Sequence, residues 1–431
     1  MIALWMIGGN LLAAKQEKEI NQAWEQFAKQ FPKTETNDSA LKLQTLTAKL
    51  GLELYYSRRL KSPTDSSAGL ALTEADRQAY QAINGELGAY ITALIERPND
   101  AVAIPSENLR RYLSSKAATL DAIRSHVLNN EVPTFEINID YLNEGNPSVP
   151  LPSWLGMVNL QKILALDILE KNRQGKTSEA LATLDVSWKI NKSLRNRPEL
   201  IAQLVALIVS NQQLAVIRRL DNLQIQWQQR LLEHDYRESI LKALQGEVFA
   251  TTAIIRELDL FSTEEMGLSR GLLLLLRFTS PINRPYLRFS AIDTYQAQSR
   301  SYSQLPQQNF CSLSLDQSKP EADPAWWNPI GQIATLSLPN LWLRAGRRML
   351  DSELTQKILQ VKALAVKLGR WPQSVPNLES SICPGEKWLY QVLSDGTMSL
   401  TFSKPLNSEK RQIHRLPLTY RANFTQAVIK Q

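Results

Sequence analysis

The sequence predicts a mainly α protein that ends in a small β module. Apolar residues recur with helical spacing over most of the 431-residue chain. The clearest two-residue alternation flanks the hairpin-forming pair Asp395-Gly396 near the C-terminus. The composition, 43% hydrophobic and 21% charged, is that of a globular protein and excludes wholesale disorder.

The first 150 residues predict four helices. Phe31-Pro32 ends the first, and helix-start signals stand at Thr73 and at Pro105-Ser106. Four prolines and a glycine in 130–152 predict a connector. The predicted helices are 15–30, 40–50, 73–96 and 105–129.

The centre of the chain has the strongest helical periodicity. Tight turns at 172–175 and 195–198 separate the helices, and Thr177 can cap the second of them. The run 200–209 is interrupted only by Gln203, which predicts a helix buried on most sides and too short to span a bilayer. The predicted helices are 154–171, 177–194 and 199–220, with one or two more over 227–260.

The last third of the chain changes character. Residues 261–340 predict an irregular connector, in which the apolar run 271–277 is either a buried helical turn or an edge that dips into a membrane. Adjacent Trp326 and Trp327 either cover a core edge or mark a contact site. A long amphipathic helix at 341–368 precedes three predicted strands, at 388–392, 398–402 and 416–420.

These patterns divide the chain into five regions. They are an apolar segment at 1–14, an N-terminal helical region at 15–150, a central helical-hairpin domain at 151–260, an irregular connector at 261–340, and a long helix plus small β module at 341–431.

The first fourteen residues are mostly apolar and become polar abruptly at Lys15. They are too few to cross about 30 Å of hydrocarbon, and no basic residue precedes them as in a secretory signal. Three interpretations are open: a buried helix, an interfacial segment, or the back half of a membrane anchor that begins upstream of Met1. We favour the anchor, because the polar helix follows the apolar segment without a turn and should continue it.

The net charge of +7 is concentrated at the C-terminal end. Residues 340–431 contain 14 Lys or Arg and 6 Asp or Glu, and the rest of the chain is almost neutral. This excess predicts a solvated basic surface. Nucleic acid is a disfavoured partner, because no aromatic-interleaved basic stripe or zinc knuckle accompanies the charge.

One helical pair in the central domain resembles a tetratricopeptide (TPR) unit. The resemblance covers one unit of about 34 residues and does not repeat cleanly, whereas an array needs about three or more copies. It implies helical hairpins packed in TPR-like fashion and a scaffold for protein contacts. It rests on Ala165, Leu169, Gly175, Ala180 and Leu181, with Pro198 past the second helix.

The C-terminal region is similar to the C-terminal module of bacterial pseudopilin-like proteins and of uncharacterised envelope proteins. The similarity consists of a long helix, the Gly-Arg-Trp-Pro motif at 369–372, Leu378 and a Gly-turned hairpin. The N-terminal prepilin signal of a true pseudopilin is absent. The resemblance therefore implies an envelope location rather than a pilus subunit.

The sequence contains two cysteines, Cys311 and Cys383. They are candidates for one disulfide if the body of the protein faces an oxidising compartment, and otherwise are two buried thiols. Three histidines and two cysteines are too few to predict a structural zinc site.

Catalytic motifs are weak. Residues 267–271 match the G-x-S-x-G pattern around Ser269, and Asp395 and His414 follow in the chain order of an α/β-hydrolase. The segment before Ser269 is polar rather than strand-like, and the alternating strand–helix pattern of that fold is missing. We assign no catalytic, cofactor-binding or metal-binding residue.

These observations favour a non-enzymatic envelope protein that is tethered to the inner membrane by its N-terminus. Its body would face the periplasm and act as a helical scaffold for unidentified protein partners, without a cofactor. The alternatives are a soluble cytoplasmic helical adapter and, less favoured, a serine hydrolase that uses Ser269.

Overall fold

The computed structural model has the predicted class, mainly α with a three-stranded antiparallel sheet at its C-terminal end. The structure describes residues 2–54, 72–145, 154–220, 223, 226–257, 270–308, 310–311, 323–334, 338–404 and 418–424, with backbone alone at 2–12, 270–283 and 338–339.

The first helix, α1 (Ile2–Ala28), is continuous from the apolar segment into the polar one. The sequence predicted this continuity, because no turn separates the apolar segment, which ends at Ala14, from the polar one that begins at Lys15. Ile20 and Phe27 are buried, and the Phe27 ring lies 5.5 Å from that of Phe249. The C-terminal half of α1 is therefore part of the packed body.

Four helices follow in the N-terminal region, and the predicted start signals act as caps. Thr73 accepts a hydrogen bond from the amide of Asp76, and Ser106 accepts one from the amide of Leu109. The described part of the predicted connector, 130–145, contains one short helix. The four helices are α2 (Asp38–Ala48), α3 (Glu74–Glu96), α4 (Glu107–Asn129) and α5 (Tyr141–Glu144).

The central region contains three antiparallel helices, α6 (Leu155–Arg173), α7 (Thr177–Arg195) and α8 (Leu200–Ile217). Gly175, at a φ of 77°, allows the tight turn between α6 and α7. Thr177 is the first helical residue rather than the cap, which is Lys176. Buried side chains of α2, α3, α4, α6, α7 and α8 form one hydrophobic core, including Leu43, Leu87, Ile123, Leu164, Leu184 and Val209.

Helix α8 alone, within the part of the chain that the structure describes, has the length and apolar composition of a membrane span. Of its residues, 72% are buried inside the protein, where α6, α7, α10 (Tyr236–Glu257) and α13 (Leu338–Leu368) pack around it. This burial agrees with the interpretation of 200–209 as a core segment.

The predicted irregular connector at 261–340 is wrong in its first half. Arg270–Gln304 form one helix, α11, the longest in the described chain, although Pro281 and Pro285 lie inside it. Internal proline normally breaks a helix, so the sequence argued for a loop. Packing against α10 and α1 outweighs that local preference. The neighbouring helices are α9 (Gln226–Arg230), α10 (Tyr236–Glu257) and α12 (Pro329–Ala334).

The C-terminal module consists of α13 (Leu338–Leu368) and strands β1 (Trp388–Val392), β2 (Met398–Phe402) and β3 (Thr419–Ala422). The strand order is β1-β2-β3, all antiparallel, with the hairpin at Asp395-Gly396 as predicted. Of the third predicted strand, Leu416 lies outside the described residues and Tyr420 is in β3. One face of the sheet packs on α13 through Leu354, Ile358, Trp388, Leu400 and Tyr420.

Candidate functional site

A buried carboxylate fastens the C-terminal module to α13. Glu353 is 0% exposed. One of its oxygens accepts hydrogen bonds from the Ser381 amide (2.6 Å) and hydroxyl (2.8 Å). The other accepts from the Ser380 hydroxyl (2.6 Å) and the Trp388 indole N–H (3.0 Å). Four donors thus saturate the carboxylate, which fixes the 380–383 loop and β1 on the helix.

The two cysteines form a disulfide beside this carboxylate. The Cα atoms of Cys311 and Cys383 are 5.9 Å apart, within the usual span for a disulfide, and both residues are buried. The Cys383 amide also donates to the Ser380 hydroxyl, at 2.9 Å. The disulfide ties the segment after α11 to the 380–383 loop that Glu353 holds. The predicted pairing is therefore present in the structure.

An ion network lies between α8 and α13. Asp351 accepts hydrogen bonds from Arg218 and from Arg348, whose Nη1 is 2.9 Å from the Asp351 carboxylate. Arg348 also donates to the hydroxyl of Ser210 at 2.6 Å, and Tyr236 donates to the same hydroxyl at 2.6 Å. The network is largely buried, although the Arg348 Nε has no acceptor among the described residues, and it joins the central domain to the C-terminal module.

The charges in this network shift each other's titration. Burial alone would raise the pKa of Asp351, but the guanidinium groups of Arg218 and Arg348 outweigh it and the pKa is lowered. Burial lowers the pKa of Arg348. Asp351 therefore stays ionised at neutral pH, as its two cationic partners require.

A second buried arginine lacks such an acidic partner. Arg195 is 2% exposed, its guanidinium lies 4.2 Å above the Trp188 ring, and its Nε and Nη2 have no hydrogen-bond acceptor among the described residues. Burial, followed by the Arg195 charge, lowers the pKa of neighbouring His234 to about 4, so this histidine is neutral at pH 7. Because neighbouring atoms occlude both nitrogens, the site has no room for a ligand as it stands.

A surface depression lies where two extended segments meet. Thr34 and Ile137 form a two-way backbone bridge, with N–O distances of 3.1 and 3.0 Å. Lys33, Glu35 and Glu136 line the depression. Its lining residues include no histidine or cysteine, so it offers charge but no strong nucleophile.

Of the three residues of the weak hydrolase pattern, the structure describes only Asp395. Ser269 and His414 lie outside the described residues. Asp395 is in the exposed hairpin turn, where it accepts a hydrogen bond from the Thr397 amide at 2.9 Å. His126 contacts the hydroxyl and backbone of Ser39, a structural role. Within the described ranges, no group of three His, Cys, Asp or Glu is placed to hold a metal ion.

Comparison with known proteins adds no relative. No protein-family model, no curated protein and no solved structure matches this chain. The fold and the sites above thus define a class only in structural terms, a mainly α protein with a disulfide-stapled C-terminal β module.

Neither Glu353 nor Arg195 was predicted from the sequence as a functional residue. A signal for Glu353 exists, because this residue lies on the helical stripe of Leu350, Leu354 and Ile358, which are all buried. No local signal marks Arg195, which ends α7 where basic residues usually face solvent.

Proposed function

We propose that this chain is a non-enzymatic envelope protein, tethered to the inner membrane by the apolar end of α1. Its periplasmic body would act as a TPR-like helical scaffold for other proteins. The observation that carries the proposal is the unbroken helix Ile2–Ala28, whose apolar N-terminal half continues directly into a half that is anchored in the core.

Two further observations support the location. The disulfide Cys311–Cys383 is of a kind that persists in oxidising compartments such as the periplasm and is rare in the cytosol. The sequence resemblance of the Gly-Arg-Trp-Pro motif and its flanking segments to pseudopilin-like modules favours the same location. We propose that Cys311 and Cys383 are oxidised outside the cytoplasm and that the resemblance reflects an envelope location.

Helix α8 offers the contact face of the scaffold. Ile201 and Ile208 lie seven residues apart on one side of this helix and are 40% and 46% exposed, although the rest of α8 is mostly buried. Partly exposed apolar residues with helical spacing are typical of a surface that another helix covers. The proposal places the partner on this stripe.

The location is tested on protein isolated from its own cells. The membrane and soluble fractions are separated, and the protein is alkylated without reduction before its mass is measured. We expect membrane-bound protein without alkyl tags, and digestion of the body by protease in spheroplasts but not in intact cells. Soluble protein that carries two tags would instead establish the cytoplasmic adapter.

The two remaining elements of the proposal have separate tests. A photo-crosslinking residue at Ile208 should capture a partner in cells, whereas one at Val366, which is 57% exposed on α13, is the matched control and should not. Equal capture at both positions would remove the α8 face. A serine-reactive fluorophosphonate should leave the folded protein unlabelled, and labelling of Ser269 would establish the hydrolase instead.

A further inference from the structure

Helices α1 and α11 lie side by side and run in the same direction. Arg288 of α11 donates to the carboxylate of Glu17 in α1, with its Nε 2.7 Å from the nearer oxygen. Seven residues further along each helix, Trp24 and Tyr295 flank the ring of Phe249, at centroid distances of 5.3 and 5.7 Å. The two helices therefore keep one register, in which a residue of α1 is level with the α11 residue numbered 271 higher.

This register places the aromatic residue Tyr286 beside the point in α1 where the sequence becomes polar. Tyr286 is level with Lys15, where the sequence of α1 changes from apolar to polar. The Tyr286 hydroxyl donates to the backbone carbonyl of Trp327 at 3.3 Å, and the two rings are 6.4 Å apart. If the apolar part of α1 enters a bilayer, this level is the boundary between lipid and water.

The 323–334 segment, which contains Trp327, presents two more apolar side chains to solvent. Trp326 is 89% exposed and Ile333 is 87% exposed, while Trp327 is 38% exposed. We refer to Tyr286, Trp326, Trp327 and Ile333 as the interfacial patch. Tryptophan and tyrosine are the residues that concentrate at the membrane–water boundary, because one end of each ring is apolar and the other is polar.

The exposure of the patch is fixed by buried contacts beneath it. Asn328 is 0% exposed, and its amide nitrogen donates to the Ser290 carbonyl (3.0 Å) and the Asp293 carboxylate (2.9 Å). Its side-chain oxygen accepts from the Gly331 amide at 2.8 Å. The Ala325 amide also donates to Asp293, at 2.8 Å. These bonds fix Ala325 and Asn328, on either side of Trp326 and Trp327, to α11.

We propose that the interfacial patch is a second membrane contact, seated on the surface of the bilayer that the N-terminus of α1 enters. The inference rests on the proposed tether and adds the lipid-facing side of the body. What favours a bilayer surface over a protein partner is that the patch is level with the change from apolar to polar sequence in α1.

The test uses the full chain in vesicles of phosphatidylethanolamine and phosphatidylglycerol. Trp326→Cys is labelled with an NBD fluorophore, and the native cysteines stay in their disulfide. Ile104→Cys is the matched control, since Ile104 is also apolar, is 70% exposed and lies between α3 and α4, away from α11. Nitroxide-labelled lipid should quench the fluorophore at 326 by about twofold or more and leave the one at 104 unchanged.

The outcomes separate this inference from the proposed function. Protein that floats with the vesicles but is not quenched at 326 overturns the lipid contact and leaves the tether intact. Fluorescence at 326 that is shielded from water but not quenched by lipid also overturns it, since another protein surface then covers the patch. Protein that does not float with the vesicles contradicts the tether itself. In the double variant Trp326→Ser, Ile333→Ser, quenching of a fluorophore at Trp327→Cys should fall.

Discussion

Replacing Glu353 with Gln changes one oxygen to a nitrogen in a site that only donors surround. Each carboxylate oxygen faces an N–H group that cannot accept a hydrogen bond, the Ser381 amide on one side and the Trp388 indole on the other. A glutamine amide must therefore point its NH2 group at one of them in either orientation. The substitution keeps the volume of the side chain and removes only the pattern of acceptors.

The cost follows from the buried groups that lose their partner. One buried N–H without an acceptor costs about 1–3 kcal/mol, and the remaining bonds to a neutral amide are weaker than those to a carboxylate. We expect Glu353→Gln to lower the free energy of unfolding by about 3 kcal/mol. Denaturant unfolding followed by tryptophan fluorescence measures the loss, and limited proteolysis should show earlier cleavage near residue 380.

A matched control lies in the same module. Glu386 is partly exposed and accepts from the Ser403 hydroxyl at 2.9 Å, so Glu386→Gln should change stability by less than about 0.5 kcal/mol. If Glu353→Gln lowers stability no more than Glu386→Gln does, the saturated carboxylate does not hold the module on α13.

Three further predictions concern other parts of the fold. Burial lowers the pKa of His234 to about 4 from an ordinary 6.5, so its contribution to stability should be complete above about pH 6.5 and fall by about 2 kcal/mol toward pH 4. In denaturant titrations at several pH values, His234→Gln should flatten the dependence of the unfolding free energy on pH. The same pH dependence in His234→Gln and in the parent would contradict this prediction. Cys311→Ser with Cys383→Ser opens a loop of 72 residues and should cost about 4 kcal/mol, measured against the oxidised parent; an unchanged unfolding midpoint would show that the bond adds nothing. Gly156→Ala would place a Cβ 1.8 Å from the backbone oxygen of Glu53, so its melting temperature should fall clearly, whereas Gly88→Ala, with open space around it, should not lower it.

Local patterns predicted most of the helices because each depends on a periodicity that the chain carries itself. Thr73 and Ser106 cap the helices they were expected to start, and Asp395-Gly396 turns the expected hairpin. Helix α11 was missed because Pro281 and Pro285 oppose helix formation locally, while the surfaces of α1 and α10 that stabilise it are far away in the sequence.

The candidate sites divide in the same way. Two cysteines leave a single possible intramolecular pair, so the sequence could name Cys311 and Cys383 as candidates. That they meet depends on where the 380–383 loop lies on α13, which Glu353 fixes through donors 27 to 35 residues away.

The sequence by itself determined the helical class, the position of the β module and the abrupt polarity change at Lys15, because these follow from composition and short-range spacing. Only the tertiary structure decided that Arg288 of α11 pairs with Glu17 just past that change, that Arg195 is buried without an acidic partner, and that Glu353 is saturated by donors. The physical reason is range. Periodicity and caps act within a few residues, whereas burial and charge pairing depend on segments that meet only when the chain folds.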